Sequence, residues 1–241
     1  ASLLSLWVGA QDISIATIMQ SFTLYNAANV QEMIVQTLRF PRLLAALTCG
    51  ASFAVAGAIM QGVTNNPMAS PSILGINAGA GFGLAVAMIL FPQGSLGLSL
   101  VFSFMGAAIA TLAIFLLAQA KGSGRGAVFL ALAGTAIGLG VPLNRARFLY
   151  LMAAVALAAS CVAIGGSIGF VGLLCPHIAR RLVGVQHARS IPLTVLIGAL
   201  LVVSADWVGR VIIAPDEMLL GIVIALIGAP YFLFILARAK A

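Results

Sequence analysis

The side chains best suited to acid–base, nucleophilic or metal chemistry are few: two histidines, five acids and three cysteines in 241 residues. His177 and His187 have no acid near them in sequence, and the acids are dispersed. Cys49, Cys161 and Cys175 lie inside apolar stretches without CxxC or paired-histidine spacing. No GxSxG elbow, HExxH helix or Walker loop is present to hold a nucleophile, a zinc ion or a phosphate. Enzymatic chemistry, a metal site, a bound cofactor and a disulfide framework are therefore not expected, and the cysteines read as small core residues. One acid stands out. Asp206 adjoins a long apolar run, where an unpaired charge is costly. Arg210 follows four residues later on the same helical face, so a local ion pair is the economical reading.

The elements that must position these residues are apolar. Hydrophobic residues make up 62% of the chain and charged ones 7%, with a mean hydropathy of +1.17. That leaves too few polar side chains to cover a water-facing globule. A soluble helical protein would show polar helix faces, and a β-barrel would show alternating strands of about ten residues. Neither pattern is present. Apolar runs lie at 43–63, 73–91, 96–118, 127–143, 148–164, 168–178, 191–208 and 219–236; several reach the roughly 20 residues that a helix needs to cross the hydrocarbon, while 127–143 is short and broken and 168–178 compact. A short apolar stub at 3–8 reads as the tail of a helix, and 11–36 as a polar, amphipathic stretch. The expected fold is all-α, a polytopic membrane bundle with residues 1–241 as one transmembrane domain.

The net charge of +7 does not indicate nucleic acid, because the basic residues are scattered between spans rather than gathered on one face with aromatics. They report sidedness. Basic residues are retained in the cytoplasm, and placing Lys121, Arg125, Arg145, Arg147, Arg180, Arg181, Arg189, Arg238 and Lys240 there satisfies nine of twelve. Arg39, Arg42 and Arg210 are the exceptions and fall outside, near Asp216 and Glu217. Two readings of them stand: a functional outward surface, or anchors for helix ends at the interface.

Glycines four apart, at 75, 79 and 83, at 134 and 138, and at 165 and 169, allow close helix approach in lipid. Asn65, Asn66 and Pro67, with Ser70 and Pro71 beyond, break the profile between two spans, and Gly228–Pro230 interrupts the last one. Backbone freed at membrane depth must be buried in protein or face a wet cavity. These breaks therefore point either to a permeation path or to helix-terminal packing.

Four blocks then match a known family in order: RFPR at 39–42, NNPMASPSILGINAGAG at 65–81, GFVGLLCPHIARRLVG at 169–184, and ADWVGR at 205–210 with GIVIALIGAP at 221–230. Together they resemble the FecCD-type permeases of ABC importers for iron-siderophore, haem and cobalamin, over nearly all of the chain. The resemblance implies a multi-pass inner-membrane subunit of the type II importer kind. It implies a second permease copy, two cytoplasmic ATPase subunits that carry ATP hydrolysis, and a periplasmic or lipid-anchored binding protein. By the same resemblance Arg39, Arg42 and Arg210 dock the binding protein, and Asn65, Asn66 and Pro67 shape the inner mouth. His177, Arg180 and Arg181 lie on the ATPase side, with topology anchoring as the alternative for these last three.

One departure is large. After LALAGTAIG at 130–138 the text passes to LGVPLNRARF at 139–148, which resembles a position some two helices and a cytoplasmic coupling loop further along the family. Loss of two crossings keeps sidedness. Either the sequence joins pieces of a longer protein near 138–140, a reading that the mid-helix start at Ala1 favours, or a deletion has left a membrane scaffold that does not transport. A third class, an ion-coupled transporter, would want buried acids, of which this chain offers almost none. Single cysteines introduced beside Lys121 and beside Arg238 should react with an impermeant thiol reagent only from the cytoplasm, and Asp216→Cys only from outside. Labelling of all three from one side would overturn this topology.

Overall fold

The computed structural model describes residues 2–7, 13–26, 28–72, 75–120, 143–212, 218 and 220–239. The junction at Gly138–Leu139, the 134/138 glycine pair, and Lys121, Arg125, Asp216, Glu217 and Lys240 lie outside the described residues. The described elements are helical: α1 (Ser2–Trp7), α2 (Ile15–Thr23), α3 (Val30–Ile34), a π-helical turn (Val35–Arg39), α4 (Phe40–Thr64), α5 (Ile76–Leu90), α6 (Leu96–Ala120), α7 (Leu143–Gly165), α8 (Val171–Val183), α9 (His187–Ile212) and α10 (Leu220–Ala239). The apolar run 127–143 falls almost wholly outside the described residues, and each other run from 43 onward coincides with one of these helices. The polar stretch at 11–36 resolves into α2, α3 and the entry to the π turn.

The bundle is built around α4. Asn29 starts its approach as N-cap of α3, its side chain accepting from Gln31 N at 3.1 Å. Glu32 supports the same end, accepting from Asn26 N at 2.7 Å and Asn29 Nδ2 at 2.9 Å. Pro41 has no N–H for the carbonyl four residues back, and the ladder widens into the π turn just before it. The rod then runs without a break from Val30 to Thr64, one of three helices among the described residues that are long and apolar enough to cross a membrane, with 96–113 and 187–212. It ends at Asn65, which takes a left-handed φ of 49° and is followed shortly by Pro67.

Backbone contact through glycine sets the packing. A Cβ built on Gly50 would lie 2.3 Å from Gly198 O of α9, and one on Gly57 would lie 1.8 Å from Gly172 O of α8. Phe53 and Met60 fill the space between these contacts and are fully buried. On another side of α4, the Cys49 and Cys161 thiols each reach the other's carbonyl at 3.7 Å, joining α4 to α7. All three cysteines are buried and free. Gly79 and Gly83 of α5 meet Gly106 and the Phe102 carbonyl of α6 in the same manner, and Ser103 Oγ donates to Ala80 O at 3.1 Å. Large apolar side chains such as Phe82, Met88, Met105 and Ile109 point outward, as lipid rather than water requires.

The expected interruption at Gly228–Pro230 is not a break. α10 continues through Pro230, as α8 continues through Pro176 and α9 through Pro192. Gly228 instead makes room for Phe170, whose Cβ would lie 2.5 Å from a Cβ added there, and Phe170 itself holds a φ of 64° at the start of α8. The true breaks are the 65–75 and 166–170 segments. They meet where Asn77 Nδ2 donates to Ile168 O at 2.7 Å and to Ser72 Oγ at 3.1 Å. This supplies freed backbone with an internal partner.

The glycine contacts make a paired test. Gly57→Ala should force the α4–α8 backbones apart and lower stability in detergent by about 1–3 kcal/mol or more. Gly62→Ala, where an added Cβ meets nothing within 4 Å, should be neutral or stabilising by up to about 1 kcal/mol. Equal melting temperatures for the two variants would refute the close-approach account.

Candidate functional site

Two polar sites lie at opposite ends of the α4 rod, named outer and inner after the sidedness expected from the basic residues. At the outer end the structure gathers Arg39, Arg42 and Arg210 around α1 and one carboxylate. Asp206 is 7% exposed and takes Arg42 Nε on Oδ1 at 2.9 Å and Arg210 Nη2 on Oδ2 at 3.0 Å. The expected pair with Arg210 is therefore present, and Arg42 shares the same carboxylate from α4. Two guanidiniums on one carboxylate leave a net positive fork.

Further contacts go to the last turn of α1, whose carbonyls have no partner further along their own helix. Arg39 Nη1 donates to Leu6 O and, at 3.1 Å, to Trp7 O. Arg210 Nη1 donates to Ser5 O at 3.3 Å. A positive charge at a helix C-terminus is favourable for the macrodipole as well. The three arginines thus differ in what they offer outward. Arg39 is 9% exposed and the Arg210 side chain 10%, whereas the Arg42 side chain is 41% exposed. Asp206 as the hub between α4 and α9 has no sequence signal beyond its neighbour at i+4, because Arg42 is 164 residues away.

At the inner end a cavity of about 720 Å³ opens between α4, α7, α8 and α9. Asn65 and Pro67 line it, with Gln61, Tyr150, Arg180 and His187. Asn66 turns its side chain to the backbone instead, accepting from Met68 N at 2.9 Å and so holding the turn around Pro67. Gln61, which the sequence did not single out, is 2% exposed and links the two walls. It donates to Gly172 O at 3.4 Å and Leu173 O at 3.3 Å and accepts from Arg180 Nη2.

The segment around 177–181 separates into three roles. Arg180 faces the cavity, with Nε also on Pro176 O at 3.3 Å. Arg181 is exposed. His177 packs edge-on against Tyr231 at 6.2 Å, its Nε2 buried without a partner among the described residues. No group of three or more metal-ligating side chains occurs among the described residues.

The FecCD transport family matches the chain in two stretches, residues 1–139 and 133–238. The Fe(3+)-citrate import system permease protein YfmE of Bacillus subtilis (strain 168) is 35% identical over 303 aligned residues, covering 98% of this chain and 90% of that protein. The iron(3+)-hydroxamate import system permease protein FhuG of the same organism is 31% identical over 285, covering 87% and 85%. An alignment of 303 positions exceeds the 241 residues present, so the first relative contains residues with no counterpart here. A solved structure of an inward-facing metal-chelate type ABC transporter superposes with a TM-score of 0.75 at 26% identity, covering 98% of this chain and 95% of that one. With a family match over both halves, the same all-helical architecture and apolar helices long enough to span a bilayer, the chain belongs to the FecCD transport family of ABC-transporter membrane permeases.

Proposed function

We propose that this permease passes a ferric chelate inward across the cytoplasmic membrane. The observation that carries the reading is that relatives aligned over most of this chain are permeases of ferric citrate and ferric hydroxamate import systems. Their names favour iron chelates over the haem and cobalamin that the motifs alone also allowed. The permease performs no covalent chemistry. It works with a second copy of itself and two cytoplasmic ATPase subunits, whose closure tilts the copies and alternates access to a path between them. A binding protein delivers the chelate at the outer face.

In this reading the outer fork docks the binding protein, with Arg42 the side chain that meets a carboxylate. An arginine suits that task because its planar fork can engage both oxygens. Arg39 and Arg210 act mainly by fixing α1 and Asp206 beneath it. The inner cavity, with Asn65 and Pro67 on its rim, forms the inner mouth, and Arg181 faces the ATPase side. The two family stretches overlap at 133–139. That overlap supports a junction near 138–140, where relatives carry the extra helices and coupling loop.

The missing stretch keeps the scaffold alternative in play, and transport itself decides between them. Expressed with its ATPase and binding protein in a cell deleted for its own ferric-citrate permease, the chain should restore growth on ferric citrate. Normal membrane insertion without rescue on any ferric chelate would assign it as a scaffold. Arg42→Ala should weaken binding-protein docking by about 0.2–1 kcal/mol, more at low salt than at high. Unchanged affinity at low salt would remove Arg42 from the interface. Asp206→Ala, by contrast, should lower thermal stability by about 3–5 kcal/mol, because it leaves two guanidiniums without their shared counter-charge.

A further inference from the structure

Among the described residues, no acid lies at the cavity end of the bundle: the two described acids, Glu32 and Asp206, both lie toward the Val30 end of the α4 rod. Arg180 lines the cavity at the other end, with Arg181 beside it in sequence and Arg189 close to His187 of the lining. Both ion pairs among the described residues involve Asp206, so Arg180 has only neutral acceptors, Gln61 and the Pro176 carbonyl. Its other N–H bonds have no protein acceptor among the described residues, and they border a cavity of about 720 Å³. That size lies within the range of small-molecule sites, about 300–1,000 Å³.

The walls specify what kind of anion fits. Val55, Ile59 and Ile191 give the cavity an apolar side, and Ser190 and Thr194 also line it. Gln61, almost fully buried and tied to two carbonyls of α8, presents its oxygen to Arg180 and holds the guanidinium in place. A charged group beside a lipophilic wall at the cytoplasmic boundary matches an amphiphile, not a free ion. Basic pockets between transmembrane helices on this side accept anionic headgroups. We infer that this cavity binds an anionic phospholipid of the inner leaflet, Arg180 holding the phosphate and the apolar wall an acyl chain. Bound there, the lipid ties α4, α8 and α9 together at the proposed inner mouth. The inference rests on the inward placement of this end, which cysteine labelling tests separately and without reference to transport.

Native mass spectrometry of the full chain in detergent, titrated with phosphatidylglycerol or phosphatidylcholine of the same acyl chains, measures the site directly. Phosphatidylglycerol should be retained preferentially, and Arg180→Gln should weaken it by about tenfold or more. Arg189→Gln, at an exposed cation outside the cavity lining, should leave it nearly unchanged. Ala58→Leu fills the cavity without touching charge and should also reduce retention, which guards against misfolding of the Arg180 variant. Equal retention of the two lipids, or retention that survives both Arg180→Gln and Ala58→Leu, would overturn the assignment. Displacement of the lipid by millimolar inorganic phosphate alone would overturn it too, in favour of a free-anion site, and displacement by ferric citrate would assign the cavity to cargo.

Discussion

Lipid offers no hydrophobic drive for one helix to seek another, and the whole architecture depends on how α4 answers that constraint. Its glycines bring backbone against backbone, Gly50 to α9 and Gly57 to α8. Dispersion over a close contact and carbonyl-edge approach then replace the expulsion of water that holds soluble cores together. Everything of functional interest hangs from that rod. The charged fork sits at its outer end, where Arg42 meets Asp206 of α9, and the polar cavity at its inner end, where Gln61 meets Arg180 of α8.

The two ends use ionisable groups differently. At the outer end a buried carboxylate holds Arg42 and Arg210, Arg39 and Arg210 hold the C-terminus of α1, and of the three only the Arg42 side chain is substantially exposed. At the inner end an amide takes the place of the acid. Gln61 can fix a guanidinium without cancelling its charge. The asymmetry follows from the distribution of acids and makes the two faces chemically distinct. One end is a cluster built on a shared carboxylate. The other leaves Arg180 with neutral acceptors only among the described residues.

Helix locations were legible in the sequence because apolar length and punctuation are local properties. The runs at 43–63, 96–118 and 191–208 became α4, α6 and α9, and Asn65 with Pro67 did end α4. Proline was the misleading signal. Gly228–Pro230 suggested a break, yet α10 carries through it, since the missing hydrogen bond is tolerated when a neighbour such as Phe170 packs at the adjacent glycine. The outer arginines were found through an exception to the charge rule. The link from Asp206 to Arg42 and Gln61 as the anchor of Arg180 were not found, because each joins residues more than a hundred positions apart and no spacing rule reaches that far.

The π turn at Val35–Arg39 carries a consequence for how the rod should be read. A π turn takes up about one residue more than an α turn, which advances the phase of the helical wheel by roughly 100°. No single wheel therefore describes the segment from Val30 to Thr64. Arg39, within the turn, reaches α1, and Arg42, just past it, reaches α9, although they are only three positions apart and would share a face on a regular helix. The wide turn works as a rotary offset between two stacked cylinders. Deleting one residue there would leave every side chain chemically intact while turning the outer cylinder out of register with the inner one.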